Sequence, residues 1–292
     1  MIDREMSFPT YLAAPAYGSH SLKAFRAGPP AMVPWLRENP SETDATRFGT
    51  ACHSRILTPD LFARTYAILP ADAPDRPTEA MLAAAKPSPS SVARQAWWKD
   101  WNEATQGKII LSAKVAREVE AVAAAFYGKA LAAESLEAAA GIEASCFWTC
   151  PESGLPSKCR PDWWTEDAVY DLKVSVHAAR GNSLGFRAYV EGHMHQLAHH
   201  RTGLNENGVP VKYGRLVMIP PKPPYFVRCI EVKEAALDVL ALDNEQTRKA
   251  MMECEKSGVW PSTPDDWQKV EPPPSALAEI ASDFDTSGAE EV

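Results

Sequence analysis

The sequence predicts an α/β core behind a helical N-terminal region. Two observations carry this reading. Near Gly141 the apolar residues change from helical spacing to alternation. After residue 112 the predicted elements run α-β-β-β-α-β-β-α, the order of a layered α/β core. With 292 residues, 45% of them apolar and 23% charged, the chain is long enough to bury a sizeable core, so composition excludes disorder as its main theme.

In the first region, Ser19-His20-Ser21-Leu22-Lys23-Ala24-Phe25 reads as a short capped helix stopped by Gly28-Pro29-Pro30. Arg47 to Leu57 follows as a helix ended by Thr58-Pro59. Pro70 to Pro77 is a loop, and Lys86-Pro87-Ser88-Pro89-Ser90 separates two helical pieces, the second carrying Trp97, Trp98 and Trp101 and closed by Gly107. From Ser112 to Ala140 the chain is Ala-rich, and Val115, Val119, Val122 and Phe126 form one helical stripe. Glu143 to Cys150, Leu155 to Trp164 and Ala168 to Val174 then read as strands of a meander, with Pro151-Glu152-Ser153-Gly154 as a turn. Leu184 to His200 is a helix ending near Gly203. Lys212 to Ile219 and Tyr225 to Val232 are a second strand pair, and residues 233 to 257 a last helix. Three regions are expected: 1–111 helical, 112–261 the α/β core, and 262–292 an acidic, Pro-containing tail read as disordered.

The formal charge of -8 argues against a uniformly basic surface. Yet Glu271, Glu279, Asp283, Asp285, Glu290 and Glu291 sit in the tail with no Lys or Arg beside them, so the body is nearly neutral and a nucleic-acid substrate stays open. Six cysteines, without an apolar signal segment or a membrane-length apolar run, point to reduced, buried thiols in a cytoplasmic protein that has no membrane span.

Asp171-Leu172-Lys173 lies in a strand, so Asp171 and Lys173 share a face and Leu172 takes the other. Hard cations want several oxygens, and Pro161-Asp162 supplies a second carboxylate nine residues earlier across a hairpin. Glu231-Val232-Lys233 has a related form, but no Asp or Glu lies between Gly208 and Ile230, and it is discarded. The following helix adds His193, His195, Gln196, His199 and His200, with Gln196 and His200 four apart on one face. None of these histidines stands in the His-Glu-x-x-His arrangement of a zinc helix. Cys146, Cys150 and Cys159 match no cluster spacing. Glu143 reads equally as an extra acid near the metal or as a solvated strand end, and the bland alternative for Asp162, Asp171 and Lys173 is an exposed cross-strand ion pair.

Taken together, Pro161-Asp162, Asp171-Leu172-Lys173 and the Gln196 helix resemble the PD-(D/E)XK nuclease pattern, and more fully the RecE-like exonuclease (exodeoxyribonuclease VIII) domain of phages and prophages. The flanking Phe48-Gly49-Thr50-Ala51-Cys52-His53, Phe147-Trp148, Lys158-Cys159-Arg160 and Cys254 to Pro261 extend the likeness over about residues 17–261. The resemblance implies a restriction-endonuclease-like core, a mixed central sheet flanked by helices. It also implies Mg²⁺-dependent (or Mn²⁺-dependent) 5′ to 3′ exonuclease action on double-stranded DNA ends in phage-type recombination within a bacterial host, a homo-oligomeric ring and a partner single-strand annealing protein. Asp162, Asp171, the Leu172 carbonyl and His53 would hold the metal, Lys173 would orient or activate water, and Gln196 and His200 would complete the site. His200 stands where the family has Tyr, which with the negative charge leaves one alternative, a catalytically weakened DNA-end or recombination-partner binding module; a second is an endonuclease of the same fold. Lys158, Arg160, Arg180, Arg187 and Arg201 are the cations expected to meet the DNA backbone.

Overall fold

A five-stranded mixed sheet organises the molecule. Its order is Arg228–Val232, Tyr213–Ile219, Ala168–Val174, Trp163–Trp164, Gly141–Ile142, and only the pairing of Ala168–Val174 with Tyr213–Ile219 is parallel. Parallel neighbours need a crossover, which the helices Leu184–Val190 and His193–Glu206 supply. The computed structural model describes residues 1–40, 43–179, 184–265 and 267. Met1–Trp260 form one compact unit. The expected acidic tail lies almost wholly outside the described residues, as does Arg180. Among the described residues no helix is long and apolar enough to cross a membrane.

Side-chain alternation assigns the two faces of the sheet. Trp163, Ala168, Tyr170, Leu172, Val217 and Ile219 join one core with Val119, Val122 and Phe126 of the helix Ala113–Tyr127. Trp164, Val169, Leu216 and Met218 join another with Leu197, Ala198 and Leu204. Trp163 meets Phe126 edge-on at 6.0 Å and stacks on Tyr170 at 4.9 Å, contacts that add to the area each ring buries. Asp171 and Lys173 share a face with Val169, which turns them toward the His193–Glu206 helix.

Several sequence expectations are corrected. The Ala-rich helix stops at Gly128-Lys129 and restarts as Ala130–Glu137. The meander does not stay in one sheet: Ser145–Thr149 pairs with Ile2–Asp3 on one side and Pro156–Cys159 on the other in a separate three-stranded sheet, and the chain crosses to the main sheet at Asp162. The predicted helix from Leu184 breaks at Gly192, whose φ of 77 suits glycine. It then continues through Gly203 to Glu206. Gly203 is not a stop signal; a Cβ there would lie 2.5 Å from the Cys159 sulfur, so the glycine lets the helix approach the smaller sheet. A parallel ladder, Tyr66–Leu69 with Ile109–Ser112, had no signature in the alternation of either short segment.

Candidate active site

The register of the main sheet creates the site. Trp163 pairs with Tyr170 and Trp164 with Val169, so one step further out Asp162 stands opposite Asp171. Asp162 Oδ2 accepts the Leu172 N–H at 2.5 Å, which fixes that carboxylate against the backbone of the neighbouring strand. His53, on the helix Asp44–Leu57, reaches the same point from the N-terminal region. Its Nε2 lies 2.7 Å from the Leu172 carbonyl and 3.3 Å from Asp162 Oδ2, and its Nδ1 lies 2.8 Å from the Gly49 carbonyl. Both ring nitrogens therefore face acceptors, the surroundings of an imidazolium. Burial opposes that charge, but Asp162 outweighs it and lifts the His53 pKa to about 9. Burial works against the Asp162 carboxylate too, yet His53, Lys173 and the Leu172 N–H together hold it below the ordinary carboxylate value.

Asp171 is different. It is fully buried. Lys173 Nζ faces its Oδ2 at 2.6 Å, a charge-assisted contact. Burial pushes the Asp171 carboxyl up to about 6, against the pull of Lys173 and with the push of Asp162. Two carboxylates buried side by side are costly even with His53 and Lys173 as counter-charges, and a cluster that shifts its own pKa values in this way is a candidate site.

Two carboxylates and a backbone carbonyl suit a hard divalent ion, and His53 would join them only on giving up its Nε2 proton. Among the described residues no three His, Cys, Asp or Glu side chains gather closely enough to hold an ion by themselves; His53 and Lys173 instead sit on the oxygens as counter-charges. Asp162, Asp171, the Leu172 carbonyl and His53 are the groups that would hold such an ion.

The remaining expected residues separate. His200 is buried with Nδ1 unpartnered, and its pKa falls to about 4 through burial, with Asp162 opposing and Lys173 adding to the fall. That coupling places a neutral imidazole beside the site. Gln196, one turn earlier on the same face, is half-buried, and its side chain makes no hydrogen bond among the described residues. Lys158 is not available to a backbone phosphate: it is buried, and its ammonium donates to the carbonyls of Tyr11, Leu12 and Ala14 at 2.8 to 2.9 Å. Arg160 is taken up by Glu143, Ser145 and the Met6 carbonyl. Arg201 is buried on Asp238. Of the five expected cations, Arg187 alone among the described residues has neither an ion pair nor a set of carbonyls on its charge. His193, named on this helix from the sequence but given no role, lies on one stripe with Gln196 and His200, and its pKa falls to about 3 through burial, with Lys173 adding. Two open cavities, of about 470 and 550 Å³, are lined by Arg76, Trp98 and Lys114 and by Phe48, Tyr66 and Ile110, and neither includes the aspartates.

No protein-family model matches the chain, and no curated protein does. Among solved structures, a candidate exonuclease from Eubacterium rectale is similar over 95% of this chain and 98% of its own, with a TM-score of 0.58 at 13% identity. An alkaline exonuclease from Laribacter hongkongensis aligns over 61% of this chain and 89% of its own, with a TM-score of 0.25 at 16% identity. The fold is a mixed α/β fold, a central sheet with helices on its faces, shared with the candidate exonuclease and consistent with a PD-(D/E)XK-like core.

Proposed function

We propose that the chain is a metal-dependent deoxyribonuclease that degrades linear double-stranded DNA from its ends, 5′ to 3′, in phage-type recombination. The observation that carries this reading is the fully buried Asp171 carboxylate, paired with Lys173 at 2.6 Å and set beside Asp162 and His53. The fold shared with the candidate exonuclease supports nuclease chemistry. Bound Mg²⁺ or Mn²⁺ would neutralise charge developing on a phosphodiester and acidify a water. The chain's own groups do the rest. Lys173 holds Asp171 ionised and presents an ammonium where hydroxide is favoured, His53 and the Leu172 N–H keep Asp162 in one orientation, and Gln196 and Arg187 offer donors to phosphate oxygens. A ring of several copies around the duplex, and an annealing protein receiving the exposed strand, complete the proposal.

The unpartnered His200 favours one second reading, a catalytically weakened module that binds DNA ends. Linear, nicked and closed circular duplex incubated with protein and Mg²⁺ separate the readings, with Asp171→Ala as control. Loss of linear duplex alone is expected. Cutting of closed circles makes the protein an endonuclease, and binding of ends without any metal-dependent degradation removes the enzyme.

A further inference from the structure

We infer that Glu143 is a positioning residue for Asp162. The pairing Gly141↔Trp164 and Ile142↔Trp163 in the main sheet and Cys146↔Cys159 in the smaller one follow a single register. Between them lie Glu143 to Ser145 opposite Arg160 to Asp162, the corner where both chains pass from one sheet to the other. Glu143 makes that corner with a φ of 49, the one positive value among the described non-glycine residues, in a region a side chain with a Cβ enters only at a cost. Nothing about turning a corner calls for glutamate; glycine would do it more cheaply.

The side chain gives the reason. Glu143 grips the Arg160-Pro161-Asp162 segment at both ends. Its N–H donates to the Asp162 carbonyl at 2.9 Å, and its carboxylate accepts Arg160 Nε at 2.8 Å. Arg160 is then pinned by Ser145 Oγ at 2.6 Å and the Met6 carbonyl at 3.0 Å. With a proline between the two held residues, little freedom remains in the backbone that aims the Asp162 carboxylate at Leu172 and His53. The inference rests on the proposed metal site, and it concerns how sharply that site is held rather than an additional ligand.

Mn²⁺ titration by calorimetry, duplex binding without metal, and thermal melts on Glu143→Ala, Glu143→Gln and Glu143→Gly test it. Outer residues that orient a metal ligand typically set affinity by about 10- to 100-fold, so Glu143→Ala and Glu143→Gly are expected to lose about that much Mn²⁺ affinity while binding duplex as before. Glu143→Gln keeps an oxygen for Arg160 and is expected to stay within about threefold of the parent on the same scale. Glu143→Gly, freed of the backbone cost, melts no lower than Glu143→Ala, so weak Mn²⁺ binding in it is not a folding defect. Wild-type affinity in either truncated variant overturns the positioning role alone. A parent protein that binds no Mn²⁺ overturns both the role and the metal site beneath it.

Discussion

His199 and His200 are neighbours on one helix and meet opposite surroundings. His199 is fully buried with both nitrogens engaged: Arg248 Nη2 donates to Nδ1 at 2.9 Å, and Nε2 lies 2.9 Å from the Lys158 carbonyl. The arginine donor fixes the neutral tautomer, and burial followed by Arg248 pushes the pKa well below normal. Around it Arg248 pairs with Glu245 at 3.2 Å and lies over Trp148, Cys150 donates to Glu245, and Lys158 fills its cage of carbonyls. On the other side two carboxylates, Asp162 and Asp171, are buried next to each other with His53 and Lys173 as counter-charges and His200 beside them. Two clusters of buried charge are thus built from the same residue types. Both leave some polar atoms without hydrogen bonds, Trp148 Nε1, Glu245 Oε1 and Arg248 Nε in the first and His200 Nδ1 in the second. They differ in that the first pairs one arginine with one glutamate and ties its histidine to backbone, whereas the second sets two carboxylates against each other, so that burial and the neighbouring carboxylate raise the Asp171 pKa.

The strongest way to break this contrast is to remove one charge from each cluster. Asp171→Asn is expected to lower metal-dependent DNA digestion, per molecule still folded, by about 10³-fold, and to cost stability because the Lys173 ammonium loses its 2.6 Å partner. In Arg248→Met, by contrast, removing one partner of a buried ion pair costs about 3–5 kcal/mol while digestion by the fraction still folded should be unchanged. Urea unfolding beside a digestion assay reads both, and an Asp171→Asn protein whose folded fraction cuts normally would end the distinction.

How much of this was legible beforehand follows from the same contrast. The strand Ala168–Val174 and the helix stripe at Val119, Val122 and Phe126 were readable because each buries one face, and burial imposes its period on the sequence. Asp162, Asp171 and Lys173 were readable because their spacing matches strand geometry across a hairpin. The fate of Lys158 and Arg160 was not. Both stand beside Asp162 in sequence and look like phosphate contacts, but their partners are carbonyls from Met6, Tyr11, Leu12 and Ala14 and a glutamate across a corner between sheets, contacts that only the fold of the first residues creates. Likewise no pattern separates His199 from His200, since adjacent positions on a helix differ only in what packs against them.

Acid titration sharpens the pair. An unfolded histidine takes up its proton near pH 6.5, whereas folded His200 refuses it until about pH 4. Between those values the unfolded state binds more protons, so the stability His200 contributes is complete above pH 6.5 and is lost as the pH falls, by about 1.4 kcal/mol per pH unit. His200→Gln should remove that slope in urea unfolding between pH 7 and pH 4. His199→Gln should remove one that continues to lower pH, because His199 is held neutral further down. An acid slope unchanged in His200→Gln contradicts a buried neutral imidazole beside the two aspartates.

The smallest effects separate two of the expected cations by what they touch. Arg187 is half-buried, its Nε has no partner, and it makes no ion pair among the described residues. Lys158 has its three carbonyls. If Arg187 meets a DNA phosphate, Arg187→Ala should reduce the steepness of log affinity against log salt by about 1 and leave the melting temperature unchanged. Lys158→Met should leave the salt slope alone and lower stability by about 1–3 kcal/mol, since the carbonyls of Tyr11, Leu12 and Ala14 lose their donor. Fluorescence anisotropy over a salt series, with a thermal melt for each variant, decides the matter. A Lys158→Met protein with normal stability and a shallower salt slope would move that lysine from the His199 cluster to the DNA surface, because a cation released from its carbonyls without cost was never needed to hold them.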